Sequence, residues 1–177
     1  MLDRVLRTGS ENRRKSIRSP RDSGAAMVEM AIAFGVLVTL LVGTVTAAIA
    51  FSQQNSIENA AREGSRFGAT YPGDPTTTTW LQDVLDVTRA AGVGDLDTTV
   101  PGQFICVAYV AGGSAKALRQ TGGGAPVPSN AECYSDGLDA TELRVQVMTG
   151  RDSQIQGVFF SVDLDLRSQA AARYERG

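Results

Sequence analysis

Residues 30–51 read MAIAFGVLVTLLVGTVTAAIAF, a stretch of 22 residues without a charged side chain. A helix rises about 1.5 Å per residue, so about 20 residues cross the roughly 30 Å hydrocarbon core of a bilayer. The apolar part of a cleaved signal peptide is shorter, usually about 7–15 residues. We therefore predict a transmembrane helix here, and the alternative is the buried core helix of a soluble protein.

Charge is distributed unevenly on the two sides of this stretch. Residues 1–24 hold seven basic and three acidic side chains, whereas residues 25–177 hold ten basic and sixteen acidic ones. Basic residues stay on the cytoplasmic side of a membrane helix. The sequence therefore predicts a single-pass protein of the cell membrane with a cytoplasmic N-terminus and an extracytoplasmic C-terminal domain. The alternative, a basic tail that binds nucleic acid, is disfavoured because the tail lacks interleaved aromatic residues.

The two cysteines, Cys106 and Cys133, both follow the apolar stretch. In the predicted topology they lie in an oxidising compartment, where a disulfide between them is expected. Two unpaired thiols are the alternative.

The composition argues against an enzyme. Histidine is absent, which removes the usual base for a serine or cysteine nucleophile and the commonest metal ligand. Two carboxylate pairs, Asp95 with Asp97 and Asp163 with Asp165, have no calcium-binding loop around them and are interpreted as solvated surface. We expect no catalytic residue, metal, cofactor, small-molecule substrate or nucleic-acid partner.

Two short blocks resemble a known family. Residues 24–29 (GAAMVE) followed by a long apolar helix resemble the class III (prepilin) signal of type IV pilins, which is cut after the glycine and has glutamate at the fifth mature position. Residues 59–68 (NAAREGSRFG) resemble the block after the membrane helix in TadE-like (tight-adherence) pseudopilins. Residues 166–175 resemble the final strand and tail of the same family more loosely.

This resemblance implies a minor pilin-like subunit of a tight-adherence pilus or secretion system. A prepilin peptidase would cut between Gly24 and Ala25. Its further partners would be other pilin or pseudopilin subunits, the inner pilus assembly platform and membrane lipid.

Glu29 is the one acid at the edge of the apolar stretch, where burial of a carboxylate in lipid is costly. It is either solvated at the headgroup level or paired with an α-amine that cleavage creates on Ala25. We expect the α-amine of the same chain to be poorly placed, and we expect the α-amine of a neighbouring subunit to pair with Glu29. Glu29 would then align subunits during assembly.

Small residues recur at a spacing of four along the predicted helix, which lets helices approach closely in a membrane. The first row lies in the apolar stretch and the second lies beyond it, where it would let a sheet pack close. The rows are Ala31, Gly35, Thr39, Gly43 and Ala47, and then Ala60, Gly64 and Gly68.

The remaining pattern predicts an α+β fold, which the resemblance implies is pilin-like. A helix over residues 26–70 ends before Pro72, and a second helix is capped by Thr79 and ends at Gly92. Alternating residues predict strands over 104–110, 142–148 and 158–167, which form an antiparallel sheet with one solvated face. Residues 112–130, rich in glycine, serine and proline, are predicted to be an exposed loop.

The predicted organisation has three parts: a basic leader over residues 1–24, a transmembrane helix over 25–51, and a head over 52–177. An alternative is a secreted domain, because the small-x-small form of residues 48–50 would allow a mature chain from Phe51. A membrane-anchored binding or scaffold protein is a further alternative.

Overall fold

The computed structural model describes residues 20–139 and 141–175. Residues 1–19 of the predicted leader lie outside the described residues. The elements in chain order are α1 (Pro20–Thr70), α2 (Thr78–Ala91), β1 (Phe104–Ala111), β2 (Ser114–Thr121), β3 (Val127–Ser129), β4 (Arg144–Gln156) and β5 (Ser161–Arg173). Contacts divide the chain into two units, Met1–Val38 and Thr39–Gly177, with the division inside α1.

The long helix α1 begins earlier than the sequence predicted. We expected the helix to start near Ala26, but α1 starts at Pro20. A proline fits the first turn of a helix because its missing N–H has no partner there. The predicted end is confirmed, since α1 stops at Thr70 and the following Tyr71 precedes a proline.

The second helix was predicted with the wrong cap. Thr77, and not Thr79, is the N-cap residue of α2, and its side-chain oxygen accepts a hydrogen bond from the Trp80 amide at 3.3 Å. The predicted end at Gly92 is confirmed. Thr79 was chosen because Gln82 follows three residues later, as in a capping box. That spacing was misleading in a run of four threonines, because any of them can supply a capping hydroxyl.

The five strands form one antiparallel sheet in the order β3-β2-β1-β4-β5. The α+β class is confirmed, with a long apolar helix, a second helix and an antiparallel sheet. The predicted exposed loop over 112–130 is wrong over most of its length, because β2 and β3 lie within it. Short polar strands such as SAKALRQT lack a strong hydrophobic pattern and are stabilised by their neighbours in the sheet.

The core of the second unit lies between the two helices and one face of the sheet. Its largest fully buried side chains come from α1, α2 and the central strands, among them Ile57, Val84, Leu85, Ile105 and Val147. The outer half of α1 therefore covers the sheet, as predicted, but α2 shares that role.

At β1 and the first half of β4 the other face of the sheet is covered as well, so the prediction of a solvated face is wrong there, whereas the polar face of β5 with Asp163 and Asp165 is exposed. Arg144 and Gln146 on β4 are 3% and 0% exposed, although both were expected to face water. The loop after β3 supplies their partners: the Arg144 guanidinium lies 2.8 Å from the Asp136 carboxylate, and the Gln146 amide donates to the same carboxylate at 3.1 Å. Polar side chains can be buried where a loop satisfies their hydrogen bonds.

Candidate assembly and processing segment

The part of α1 up to Phe51 has an apolar surface that is exposed to a degree unusual for a water-soluble protein. Met27 is 75% exposed, Phe34 is 65% exposed and Phe51 is 69% exposed. Within the described residues, Gly24–Thr70 is the one helix long and apolar enough to cross a membrane, with a mean hydropathy of 2.4 in its most apolar window. An apolar surface this extensive needs lipid or another protein to cover it.

The predicted cleavage junction lies inside the helix. Gly24 and Ala25 occupy the fifth and sixth positions of α1, and both are exposed. A peptidase that cuts here would have to unwind the first turns of α1. Glycine lowers helix stability by about 1 kcal/mol relative to alanine. Gly24 therefore makes the helix easier to unwind at the junction.

The Glu29 side chain is exposed on the same helix. Among the side chains of residues 24–139 and 141–175, no ion pair or hydrogen bond to its carboxylate is present. Residues four apart lie on the same face of a helix, and helical side chains lean toward the N-terminus. Glu29 therefore leans toward the turn that contains Ala25. The expected pairing of Glu29 with an α-amine on Ala25 of a neighbouring subunit stays a prediction.

The two rows of small residues have different surroundings. In the first row, a Cβ added to Gly35 or Gly43 would meet no described atom within 4 Å. In the second row, Ala60 is fully buried, a Cβ on Gly64 would collide with the Thr88 hydroxyl, and one on Gly68 would come within 2.9 Å of Val145. The second row thus receives α2 and β4 of its own chain, whereas space is open beside the first.

Cys106 on β1 and Cys133 in the loop after β3 form a disulfide that encloses a separation of 27 residues. The bond ties that loop across the sheet face that carries Arg144 and Gln146. Beside it, the Cys133 amide donates to the Gln146 side chain at 3.2 Å.

Asp136 is held in the charged form by this arrangement. Burial by itself would raise its pKa, but hydrogen bonds from the Gln146 side chain and the Leu138 amide, together with the Arg144 charge, hold the pKa of Asp136 below its ordinary value. Burial raises the pKa of the neighbouring Tyr134. The contacts of Asp136 with Arg144 and Gln146 hold the loop against β4.

The two carboxylate pairs weighed as cation sites do not act as pairs in the structure. Asp95 forms an ion pair with Arg151 at 2.6 Å, and Asp97 accepts a hydrogen bond from the Thr99 amide at 3.0 Å. Asp165 pairs with Arg167, and Asp163 accepts from Gln154 at 2.6 Å. Within the part of the chain that the structure describes, no group of three or more potential metal ligands is present.

A family model for TadE-like proteins matches residues 24–66. The chain carries a TadE-like segment. This segment begins at the predicted cleavage residue Gly24, contains Glu29 and ends within the block that suggested the resemblance. TadE-like proteins are structural, pilus-associated proteins, so the match points to a protein related to the tight-adherence pilus.

The match to the TadE-like family ends at residue 66 and does not extend to residues 166–175, whose likeness to the family was looser. No curated protein and no solved structure matches the chain. The functional inference therefore depends on the TadE-like segment and on the geometry of the rest of the chain.

One apolar feature was missed by the sequence analysis. We expected Val158, Phe160 and Val162 to pack beneath α1 as part of a strand, but they are 50%, 49% and 47% exposed. The strand begins only at Ser161, and residues 157–160 form the turn between β4 and β5. The run of three apolar residues after Gly157 breaks the strand alternation and was the signal that could have revealed a turn.

Proposed function

We propose that this chain is a minor pilin-like (pseudopilin) subunit of a tight-adherence pilus or secretion system. It is anchored in the cell membrane by α1, with its N-terminus in the cytoplasm and its head outside. The observation that carries the proposal is that the TadE-like segment includes most of the exposed apolar surface of α1. The disulfide supports the orientation, because such bonds persist in oxidising compartments.

Assembly would move α1 from lipid to a position among other helices. Lipid tails are as apolar as leucine, so burial of apolar surface alone gives little driving force in a membrane. Close packing at small residues and polar contacts provide it instead. The open surface at Gly35 and Gly43 suits the close approach of a helix from another pilin or pseudopilin subunit.

Glu29 would gain its partner in two stages. Cleavage after Gly24 by a prepilin peptidase creates an α-amine on Ala25, one helical turn from the carboxylate. The amine of the same chain can neutralise Glu29 in the bilayer, since a lone charge there is costly. In the assembled state the amine of an adjacent subunit takes over, so the pair aligns neighbours at the inner pilus assembly platform.

Mass spectrometry of the native N-terminus tests the processing step. A mature chain that starts at Ala25 supports the pseudopilin proposal. A chain that starts at Phe51 would instead identify a secreted domain, and one that retains Met1 would identify a permanently anchored scaffold.

Substitution at Glu29 tests the assembly step. Glu29→Ala should insert and be processed normally, yet lose incorporation into pili. The matched control is Glu58→Ala, which removes another exposed carboxylate of the TadE-like segment, the one that pairs with Arg62. Normal incorporation of the Glu29→Ala protein would remove Glu29 from the mechanism.

A further inference from the structure

The turn between β4 and β5 is built from residues that turns seldom use. Loop tips usually carry glycine, proline, asparagine, aspartate or serine, but here Val158 and Phe159 occupy the tip. Phe159 is 85% exposed, and the ring of Phe160 occupies the space that a Cβ on Gly157 would need. The residues 155–162 (IQGVFFSV), which we call the hairpin tip, contain no charge.

Two polar contacts give the position of the hairpin tip along α1. The Thr46 hydroxyl lies 3.1 Å from the Gln156 carbonyl, which competes for this donor with the Val42 and Gly43 carbonyls of α1, and the Ser153 hydroxyl donates to the Gln53 side chain at 2.7 Å. Seven helical residues rise about 10.5 Å, and three residues of an extended strand span about 10 Å. The end of β4 therefore runs alongside α1 toward the apolar stretch.

This register places the hairpin tip at the level of the proposed membrane span. The uncharged stretch ends at Phe51, and Thr46 lies five residues, or about 7.5 Å, inside it. Apolar segments that lie in a membrane interface are buried about 5–10 Å into the boundary between headgroups and acyl chains. A tip attached beside Thr46 reaches that depth.

The base of the hairpin tip is closed by backbone pairing, which lowers the number of polar groups that would meet lipid. Unpaired backbone groups are costly in lipid. The Gly157 amide donates to the Phe160 carbonyl at 2.7 Å, and the Gln156 carbonyl faces the Thr46 hydroxyl. The first charged side chain past the tip, Asp163, is paired in register with Gln154, one step further from the turn.

We infer that the hairpin tip inserts into the lipid leaflet on the side of the head, as a second membrane contact beside α1. The contact is apolar, and the charged residues that flank it are of both signs, three aspartates and two arginines (Asp152, Asp163, Asp165, Arg151 and Arg167), so the expected surface is a zwitterionic bilayer. This inference rests on the proposed membrane anchorage of α1, and it adds that the head is held against the bilayer before assembly.

Site-specific fluorescence in vesicles tests the insertion. The two native cysteines form the disulfide, so a single added cysteine can be labelled with an environment-sensitive dye in the full chain. The variants are Val158→Cys in the hairpin tip, Leu40→Cys in the apolar stretch, and Val127→Cys on β3, at the opposite edge of the sheet from β5. Val127 is the matched control because it is also an exposed valine, at 64%.

Each variant is reconstituted in phosphatidylcholine vesicles with and without lipids that carry nitroxide quenchers at shallow and deep positions of the acyl chains. We expect the label at position 158 to lose most of its emission, as at position 40, and the label at 127 to be unaffected. A label at 158 that behaves like the one at 127, while position 40 is quenched, would overturn the inference and leave the membrane anchor intact. A label at position 40 that is not quenched would overturn the proposal that α1 spans the membrane.

A second copy of this chain is the other occupant that the experiment detects. In that case the emission at position 158 would be shifted to the blue without quenching by the nitroxide lipids. The shift would also disappear when the protein is diluted into a large excess of lipid. That result would replace the lipid contact by a contact between subunits.

Discussion

The Thr149 hydroxyl donates a hydrogen bond to the Ile57 carbonyl at 3.0 Å, deep inside the second unit. Thr149 is fully buried on β4, and Ile57 is fully buried on α1. The bond joins residues 92 positions apart and fixes where the sheet lies along the helix.

Replacement of Thr149 by valine tests this link. The shape is nearly unchanged, but the hydrogen bond to Ile57 is lost, which should lower the free energy of unfolding by about 1 kcal/mol. Denaturant unfolding of the full chain in detergent, followed by Trp80 fluorescence, measures the loss. Thr121→Val at the exposed end of β2 is the control and should stay within about 0.5 kcal/mol of the wild type. Equal effects of the two variants would contradict a specific role for Thr149.

The close approach of α2 to α1 should make Gly64 intolerant of a side chain. Alanine at this position would collide with Thr88, and overpacking of a core typically costs about 1–3 kcal/mol. Gly43→Ala provides the control because the added methyl meets open space. We expect Gly64→Ala to lower the unfolding midpoint in detergent, whereas Gly43→Ala should not. If Gly64→Ala were as stable as the wild type, α2 would not pack as the structure shows.

Loss of the disulfide should destabilise the head without unfolding α1. For the loop between Cys106 and Cys133, the chain-entropy model predicts a loss of about 3–4 kcal/mol in the double serine variant. The expected result is a lower denaturation midpoint of the near-ultraviolet circular dichroism with little change in helix content. An unchanged midpoint, or full loss of helix, would contradict this assignment.

The ion pair between Asp136 and Arg144 should make stability depend on pH. Because the folded state lowers the pKa of Asp136, the stabilisation is complete above the ordinary aspartate value and is lost as pH falls through the lowered pKa. Asp136→Asn should be less stable by about 3 kcal/mol near pH 7, since it leaves a buried guanidinium poorly paired.

The difference in unfolding free energy between Asp136→Asn and the wild type, measured against pH, isolates the contribution of the Asp136 carboxylate. The gap between the two unfolding free energies should narrow as pH falls from about 5 to 3, because the wild type then loses the same charge. Asp74, Asp97 and Asp165 also have a lowered pKa, but their partners are other residues, so their contributions cancel between the two proteins. Asp139 shares the Arg144 charge, so its contribution cancels only in part. A difference in unfolding free energy that stays constant between about pH 5 and 3 would show that the charge on Asp136 does not stabilise the folded state.

Local patterns predicted the elements that depend on near neighbours. The end of α1 at Thr70, the end of α2 at Gly92 and the core of β1 all follow from residues a few positions apart. Prediction failed where a distant segment changes the environment. Arg144 alternates with buried valines and was interpreted as solvated, yet Asp136 and the carbonyl of Asp139 satisfy it in the interior.

The candidate functional residues also divide into those that local sequence can suggest and those that depend on distant segments. Gly24 and Glu29 could be identified from the sequence because their meaning depends on spacing along one helix. The hairpin tip could not, since its relation to Thr46 depends on how a strand more than a hundred residues later packs beside α1.

By itself, the sequence determined an uncharged helix long enough to cross a bilayer, the residues at its N-terminal edge and the α+β class, because hydrophobic length and periodicity are local properties. Only the tertiary structure decided which small residues of α1 are covered by the chain's own head and which are open. It also decided that both faces of the central strands are buried and that Phe159 lies at an exposed tip. Those outcomes depend on contacts between distant segments, whose packing and hydrogen-bond energies no local pattern contains.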